Sequence, residues 1–349
     1  MNVAVVAAAA AGLGLLAGAG GGAFMVARGR PLDMPDGRRL HKRPTPRGGG
    51  VGIALAGVVV MPIAVGLAGH VETRMVLTLV LAWALPNAFM GMIDDHRPLP
   101  VTGKLMAQIA MATLAATMGL CIDRIALPPF GEIALGWAAI PCSVLWLVWI
   151  ANVFNFMDGM DALAAECGAI FYGGLAMLAL LSGAAGLGVL AVGIAAALLG
   201  FLRYNRPPAR VFMGDVGSLF SGAAMGGIAL ALVSSGASVP FLAAAVMLSS
   251  FVFDATFTVV RRAARGLALR PHRTHFYQRL VLAGWPQHRV RALYIALTSA
   301  SVATGLVIYV GPPALQLVTL GGLGLFLLWT VRLTRQAERL ARLGRFHRT

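Results

Sequence analysis

The stretch that decides the fold is AAIPCSVLWLVWIANVFNFMDGMDAL, residues 138–163. Its first fourteen residues are almost entirely apolar, and the next ten hold two carboxamides and two carboxylates. The apolar run over residues 137–153 approaches the roughly 20 residues that a helix needs to cross the hydrocarbon of a bilayer. The polar part is therefore either a turn between two membrane helices or a chemical site held at the membrane surface.

The whole chain is as apolar as this stretch. Of 349 residues, 58% are hydrophobic and only 12% are charged, whereas a soluble domain has about 25% charged residues. We therefore predict an all-α polytopic membrane protein with a single domain, residues 1–349. Eleven spans are expected, at about 3–27, 51–69, 75–93, 104–122, 137–153, 162–182, 187–202, 218–236, 239–260, 292–310 and 314–331.

Three smaller features refine this topology. The first span is expected to stay as an anchor, because its basic residues Arg28 and Arg30 follow it. Residues 122–136 alternate apolar and polar side chains around Pro-Pro-Phe-Gly, which predicts a short extracytoplasmic β-hairpin. The three cysteines show no paired spacing, which argues against a disulfide framework or a cysteine metal site.

The basic residues predict the orientation. With eleven spans, 26 of the 28 Lys and Arg fall on one side, and only Arg74 and Arg124 face the other. Basic loops remain cytoplasmic, so we expect a bacterial inner-membrane protein with its N-terminus outside and its C-terminus in the cytoplasm. The net charge of +15 then reflects topology and attraction for anionic lipid or a phosphorylated ligand, and no nucleic-acid partner is expected.

Five of the thirteen acidic residues lie at the predicted cytoplasmic ends of three spans: Asp94, Asp95, Asp158, Asp161 and Asp215. Charges at the membrane edge are costly and are usually functional. Each aspartate taken singly is equally well explained as a helix cap or a turn residue. Five on one face are poorly explained in that way, so we expect a site there.

The first part of this site is GMIDDHRPLPVTGKLMAQ, residues 91–108. Adjacent residues on a helix point about 100° apart, so Asp94 and Asp95 cannot serve one ligand in the same way. Lys104 opens the next span, with Gln108 one turn later on the same face.

The second part contains Asn152, Asn155, Asp158 and Asp161, each three residues after the last. In a continuous helix this spacing drifts by about 60° per step, which spreads the four side chains apart. A break near Gly159 would gather them into one concave site. Oxygen ligands of this kind favour Mg²⁺ or Mn²⁺ over zinc.

The third part, residues 203–222, leads into an apolar span at residues 214–218. The free backbone N–H groups of that helix start are expected to form an anion site, with Asp215 placed to hold a metal beside it. A plain capping turn would not explain the nearby Asn205, Arg206 and Arg210.

The fourth part is RPHRTHFYQRL, residues 270–280, in the most basic loop. His272 and His275 are interleaved with arginines that include Arg273, which favours phosphate and sugar contacts over a transition metal. The alternative is a basic helix that rests on lipid headgroups.

Five motifs in this order resemble the polyprenyl-phosphate N-acetylhexosamine-1-phosphate transferases, the superfamily of the WecA, TagO and MraY enzymes. They cover about residues 40–290 and read HKRPTPRGGG, MIDDHRPLPVTGK, NVFNFMDGMDALA, NRPPARVFMGDVGSLFSG, and DATFTVVRRAARG followed by HRTH. The resemblance implies transfer of a HexNAc-1-phosphate from a UDP-N-acetylhexosamine to undecaprenyl phosphate, with Mg²⁺ as cofactor. The products are a sugar-diphospholipid and UMP. A second copy of the chain is a further candidate partner.

The resemblance also implies residue roles. Asp215 would be the principal Mg²⁺ ligand with Asn155 near the same metal. Asp94 and Asp95 match the aspartate pair that deprotonates the lipid phosphate or shapes its site. The implied substrate-binding or site-shaping residues are Lys42, Lys104, Asp158, Asp161, Asn205, His272, Arg273 and His275.

The chain departs from the family pattern at two places. The last loop lacks the histidine runs of the MraY and WecA types and looks more like the branch that starts O-antigen or other surface polysaccharides. Ala162 replaces a common glycine. The sugar therefore stays open among N-acetylglucosamine, N-acetylfucosamine and N-acetylquinovosamine. The alternatives are an MraY-like phospho-MurNAc-pentapeptide transferase or a transporter, for which Asp254 within a span is the one favourable feature.

Overall fold

Helices account for most of the chain in the computed structural model, which describes residues 2–35, 43–127, 131–235, 239–267 and 272–346. The helices are α1 Val3–Arg28, α2 Val51–Leu67, α3 Val71–His96, α4 Val101–Thr117, α5 Ala139–Met157, α6 Leu163–Leu181, α7 Ala185–Asn205, α8 Gly214–Ser234, α9 Phe241–Met247, α10 Ser249–Ala263, α11 Phe276–Leu282, α12 Gln287–Val310 and α13 Pro313–Phe346. The strands are β1 Leu32–Asp33, β2 Thr45–Pro46, β3 Arg124–Leu127 and β4 Gly131–Ala134.

The prediction of an all-α polytopic membrane protein is confirmed. Among the described residues, eight helices are long and apolar enough to cross a membrane, and a ninth span arises if α9 and α10 count as one span bent by 74°. The two remaining predicted spans correspond to α2 and α4, which have 17 residues each. A 17-residue helix is about 26 Å long, short of the roughly 30 Å of hydrocarbon, so the count of eleven stays a prediction.

The predicted hairpin is confirmed as the antiparallel pair β3–β4, in which Arg124 faces Ala134 and Ile125 faces Ile133. Its position on the outer surface stays a prediction. The pair β1–β2 was not predicted, because two residues per strand leave no readable alternation. Lys42 lies in the connection between them and falls outside the described residues.

Small residues allow the helices to pack at close range. The buried face of α1 repeats every four residues and includes Gly14 and Gly18. A Cβ atom on Gly18 would lie 1.9 Å from the backbone oxygen of Ala197 in α7. Close backbone approach through small residues is the usual way in which helices associate in lipid, where no hydrophobic force drives them together.

The central helix is α8, in which every residue from Val216 to Leu232 is buried. Its N-terminus carries Asp215 and lies against the end of α3, where a Cβ atom on Gly91 would be 2.3 Å from the backbone oxygen of Asp215. This contact brings the two aspartates of α3, Asp94 and Asp95, beside the third part of the predicted site, residues 203–222.

Candidate functional site

A polar cavity of about 250 Å³ lies where α3, α5 and α8 end or begin. Arg47, Asn155, Asn205 and Gln278 line it together with five aspartates. Those aspartates are Asp33, Asp95, Asp158, Asp161 and Asp215. The cavity therefore concentrates negative charge at one end of an apolar helix bundle.

The helix in the second part of the predicted site breaks near Gly159, as expected. Helix α5 ends at Met157, and α6 begins at Leu163. Asn155, Asp158 and Asp161 line the cavity. Asn152 does not line it, because its Nδ2 donates to Gln108 Oε1 at 2.7 Å.

Two residues of this turn are in unusual surroundings. A Cβ atom on Gly159 would lie 2.1 Å from Tyr277 Oη, so only glycine lets the α11 tyrosine approach the turn. Ala162 has φ 65°, the one positive φ of a non-glycine residue in the described chain. Its N–H donates to Asn205 Oδ1 at 2.9 Å. This conformation favours glycine, which gives a physical reason for the family's preference at position 162.

Asp95 caps the first turn of α8. It is 2% exposed, and its carboxylate accepts the N–H groups of Asp215 at 3.0 Å and Val216 at 3.1 Å. The expectation of an anion site at this helix start is therefore wrong for these two N–H groups, because a side chain from α3 already occupies them. Gly214 completes the fit, since its φ is 73° and a Cβ atom there would lie 2.5 Å from Asp95 Oδ2.

Asp94 has different partners from its neighbour. Its Oδ2 pairs with Lys104 Nζ at 2.9 Å, and its Oδ1 accepts the N–H of Leu99 at 2.6 Å. Lys104 also lies 3.5 Å from Asp215 Oδ2 and so bridges the two carboxylates. The adjacent aspartates thus act on different groups, as their angular separation on a helix predicts.

Asp215 is also held from α5. Asn155 Nδ2 donates to Asp215 Oδ1 at 3.1 Å and to Ser218 Oγ at 2.8 Å. These bonds leave Asn155 Oδ1 without a partner among the described residues. The two residues predicted to share a metal are therefore adjacent, and both line the cavity.

The Asp158 carboxylate makes no hydrogen bond or ion pair with any residue that the structure describes, and the backbone N–H of Asp158 donates to the Asn155 backbone oxygen at 3.2 Å. Burial raises the pKa of its carboxyl well above the ordinary value, and the negative charges of Asp215, Asp95 and Asp161 raise it further. Asp161, by contrast, accepts the N–H of Ala209 at 3.0 Å. A cluster of this kind requires a cation or a proton to relieve the repulsion.

The residues fit a magnesium ion, although no three acidic, histidine or cysteine side chains in the described ranges are arranged as a metal cage. Mg²⁺ is usually held by one or two carboxylates, with waters and substrate phosphates in the other positions. Asp215, Asn155 and the unpartnered Asp158 offer such a partial set of oxygen ligands. The remaining ligands would then come from a phosphorylated substrate.

His275 lies behind the cavity wall instead of in it. The side chain is 3% exposed, and its Nδ1 is 3.2 Å from Asp254 Oδ1. Asp254 also accepts the N–H of Phe276 at 2.9 Å and the hydroxyl of Tyr294. Asp254 is therefore bonded inside the protein and anchors the start of α11, which removes the feature that favoured a transporter.

The other two residues of the loop motif are more accessible. His272 is half-buried with Nδ1 3.1 Å from Thr274 Oγ1. Burial, followed by the charges of His275, Arg262 and Arg261, lowers the pKa of His272 to about 4. Arg273 is exposed and makes no contact with the described residues. Neither side chain lines the cavity.

Three polar lining residues were not predicted from the sequence: Asp33, Arg47 and Gln278. Arg47 lies within the first motif and donates to the backbone oxygen of Asp95. Gln278 follows the HRTH motif by three residues. The positions of Arg47 and Gln278 in or beside these motifs were the available signal, whereas Asp33 precedes the first motif. Short polar segments far apart in the chain do not reveal which of them meet.

Three carboxamides, of which Asn87 and Gln108 are buried and Asn152 is half-buried, link the helices that carry the site. Gln108 Nε2 donates to Asn87 Oδ1 at 3.0 Å, and Asn152 Nδ2 donates to Gln108 Oε1 at 2.7 Å. The chain of bonds therefore joins α3, α4 and α5 one or two turns from Asp94, Lys104 and Asn155. Because unpaired polar groups are costly inside a membrane protein, these bonds fix the rotation of the three helices.

The family model for glycosyl transferase family 4 matches residues 76–233. A Bacillus subtilis relative, named probable undecaprenyl-phosphate N-acetylglucosaminyl 1-phosphate transferase, is 35% identical over 269 residues, which are 76% of this chain and 74% of the relative. The chain belongs to glycosyl transferase family 4. The resemblance inferred from the motifs is thus confirmed, and the protein is a transferase.

Two further relatives place this family 4 enzyme among lipid-linked sugar transferases. A Synechococcus phospho-N-acetylmuramoyl-pentapeptide-transferase is 35% identical over 73% of this chain and 79% of its own. A decaprenyl-phosphate N-acetylglucosaminephosphotransferase of Mycolicibacterium smegmatis is 30% identical over 78% of this chain and 73% of its own. The family match includes Asp94 and Asp215 and ends before α11. Gln278 of α11 therefore lines the cavity from outside the matched region.

Proposed function

We propose that this enzyme transfers a HexNAc-1-phosphate from a UDP-sugar to undecaprenyl phosphate, with UMP as the second product. The observation that carries the proposal is the cavity of carboxylates at the helix ends, in which the Asp158 carboxylate has no hydrogen-bond or ion-pair partner among the described residues. A diphosphate with its cation would supply the missing partner. The names of the Bacillus and Mycolicibacterium relatives support the same chemistry.

Mg²⁺ is the proposed cofactor, with Mn²⁺ as the alternative. Asp215, Asn155 and Asp158 are the proposed ligands, because all three line one cavity and the Asp158 carboxylate lacks a counter-charge. When bound, the ion would neutralise charge on the diphosphate as the phosphoryl group moves. Arg47 is the cation in the cavity lining, and Lys104 stands behind Asp215.

The proposed reaction is a direct displacement. An oxygen of the lipid phosphate attacks the phosphorus that carries the sugar, the bond from this phosphorus to the oxygen shared with UMP breaks, and the electron pair leaves with UMP. A phosphate monoester has a second pKa of about 6, so much of the acceptor is already dianionic at neutral pH. Asp94 and Asp95 are engaged with Lys104 and with α8, and we assign them to shaping the site.

The remaining site residues divide by exposure. Lys42, Asp161, His272 and Arg273 are proposed to contact substrate, since the three that the structure describes are half-buried or exposed. Asn205 and His275 are buried and bonded on the protein side. We therefore propose that these two hold the turn at residues 158–162 and the start of α11 in place.

An apolar groove offers a place for the lipid tail. It has a volume of about 500 Å³ and lies between α4 and α5, where Leu105, Ile109, Val144, Val148 and Trp149 contribute to its wall. Lys104 precedes the first of these residues, so a tail in the groove would bring its phosphate toward Lys104. The basic residues support a cytoplasmic site in the inner membrane with the C-terminus on the same side, and a homodimer stays a prediction.

The experiment is to incubate the purified enzyme with undecaprenyl phosphate, Mg²⁺ and a panel of donors, and to measure UMP. The panel holds UDP-N-acetylglucosamine, UDP-N-acetylfucosamine, UDP-N-acetylquinovosamine and UDP-MurNAc-pentapeptide. The last donor tests the second candidate, the pentapeptide transferase, which the Synechococcus relative favours. Lipid-dependent UMP from one HexNAc donor is the expected result.

Asp215→Asn is the matched control in this assay. The change preserves the size of the side chain but removes the charge proposed to hold Mg²⁺, so UMP release should collapse while the protein still inserts and elutes as the wild type does. Near-normal UMP release at saturating Mg²⁺ would show that Asp215 is not a metal ligand. No UMP from any donor would exclude the proposed function.

A further inference from the structure

Helix α11 is a short element that completes the cavity. It spans only Phe276–Leu282, seven residues, and isolated helices of this length are not stable in water. Its second and third residues both reach the site. Tyr277 Oη donates to the backbone oxygen of Phe156 at 3.1 Å, and Gln278 lines the cavity. The position of these side chains must therefore be set by contacts of α11 with other helices.

One anchor of α11 lies on its inner side. Asp254 in α10 binds the N–H of Phe276 and the ring of His275. Gln278 Oε1 accepts the N–H of His275 at 3.3 Å, which turns the other end of this carboxamide toward the cavity. These bonds hold only the first turn of α11, and the rest of the helix needs a second anchor.

The second anchor comes from α13. Arg279 Nε and Arg279 Nη2 donate to the two carboxylate oxygens of Glu338 at 2.8 and 2.7 Å. The arginine side chain is only 11% exposed and stacks on the ring of Phe276 at 5.6 Å. A two-bond fork of this kind fixes orientation as well as distance, and it joins α11 to a helix that contributes no residue to the cavity lining.

We propose that Glu338 is a positioning residue for the nucleotide-sugar: through Arg279 it holds α11 so that Gln278 lines the cavity and Tyr277 supports the end of α5 at Phe156. This inference rests on the proposed function. Asp94, Lys104 and Asp215 lie on α3, α4 and α8, which the fork does not touch. Loss of the fork should therefore weaken binding of the UDP-sugar and leave the turnover rate and the lipid requirement largely intact.

The test compares three variants. Glu338→Gln keeps the shape of the side chain and removes one charge of the fork. The double variant Arg279→Glu with Glu338→Arg restores an ion pair with the charges exchanged. Arg339→Gln is the matched control, because Arg339 is the next residue of α13, is exposed and has no contact with the described residues.

Two measurements are made on each variant. The first is hydrogen–deuterium exchange of the peptide that covers residues 276–282, which reports on α11 without any substrate. The second is the steady-state KM for the UDP-sugar and for undecaprenyl phosphate, each with kcat. Loss of a charged hydrogen bond corresponds to about a tenfold change in an equilibrium constant, and a rise of about tenfold in the UDP-sugar KM is the expected effect of Glu338→Gln.

The expected pattern is faster exchange in α11 and a raised UDP-sugar KM for Glu338→Gln, with kcat and the lipid KM within twofold, and recovery in the double variant. Exchange in α11 no faster than in Arg339→Gln would overturn the proposal even if the enzyme were inactive. A KM that rises equally for both substrates, or a double variant that does not recover, would also overturn it. Failure of the proposed function is distinct, since it appears as a wild type without UMP release.

Discussion

Asp95 and Asp158 line the same cavity, yet their surroundings are opposite. Asp95 lies at the end of α3 and accepts two backbone N–H groups from the start of α8. Asp158 lies in the turn after α5, and its carboxylate has no partner among the described residues, while the charges of three other carboxylates act on it. A buried acid with all its partners in the protein stabilises the fold, whereas one without partners is available to a ligand.

The largest effect is expected at the unpartnered acid. Asp158→Asn keeps the side-chain size and removes a charge, so UMP release should fall by about 100-fold, the usual effect of removing one preorganised electrostatic group. The thermal midpoint in detergent, followed by tryptophan fluorescence, should stay constant or rise because repulsion with Asp215 is relieved. A lower midpoint together with normal UMP release would show that Asp158 stabilises the fold and does not bind a ligand.

A smaller effect, on stability, is expected at the partnered acid. Asp95→Ala leaves the N–H groups of Asp215 and Val216 without an acceptor, which should cost about 2 kcal/mol and lower the thermal midpoint. The exposed acid Glu132 on the hairpin provides the control, Glu132→Ala, with an unchanged midpoint. If the midpoint of Asp95→Ala also stayed constant, the cap of α8 by Asp95 would not contribute to the stability of the fold.

The smallest effect sharpens the comparison within the turn beside Asp158. Ala162 is a buried alanine with a positive φ, and Ala162→Gly removes the steric cost of that conformation in the folded state. Glycine also makes the unfolded chain more flexible, which favours unfolding. The net effect should be a stabilisation of about 0–1 kcal/mol. Ala176→Gly in the middle of α6 is the control, and it should cost about 1 kcal/mol. The thermal midpoint of unfolding is measured for both variants. An equal decrease in the two midpoints would show that the turn is not strained.

Much of the architecture was predictable from the sequence. Each predicted span coincides with a helix or with the bent pair α9–α10. Apolar runs bounded by charged residues have few stable structures in a membrane other than a helix. The break after Met157 was also predictable, since Gly159 interrupts a run whose polar spacing does not suit one helix face. The start of α8 was wrongly interpreted as an open anion site, because nothing near Gly214 indicates that Asp95 would cap it.

The limits of prediction at the site have a common cause. The bond between Asp95 and Asp215 joins residues 120 positions apart, and Arg279 meets Glu338 across 59. The spacing of polar and apolar residues along the sequence indicates only the direction in which a side chain points from the axis of its own helix. The rotation and rise of one helix against another are set by packing, such as the contact of Gly91 with the start of α8.

The sequence by itself determined the membrane class, the helical spans, the family and the set of polar residues at one end of the bundle. Those properties follow from composition, from local spacing and from short motifs, all of which are written along the chain. Only the tertiary structure decided which of these residues are bonded to other parts of the protein and which have side chains without such partners. That distinction depends on hydrogen-bond partners from distant helices, because a carboxylate is free or engaged only in relation to what packs against it.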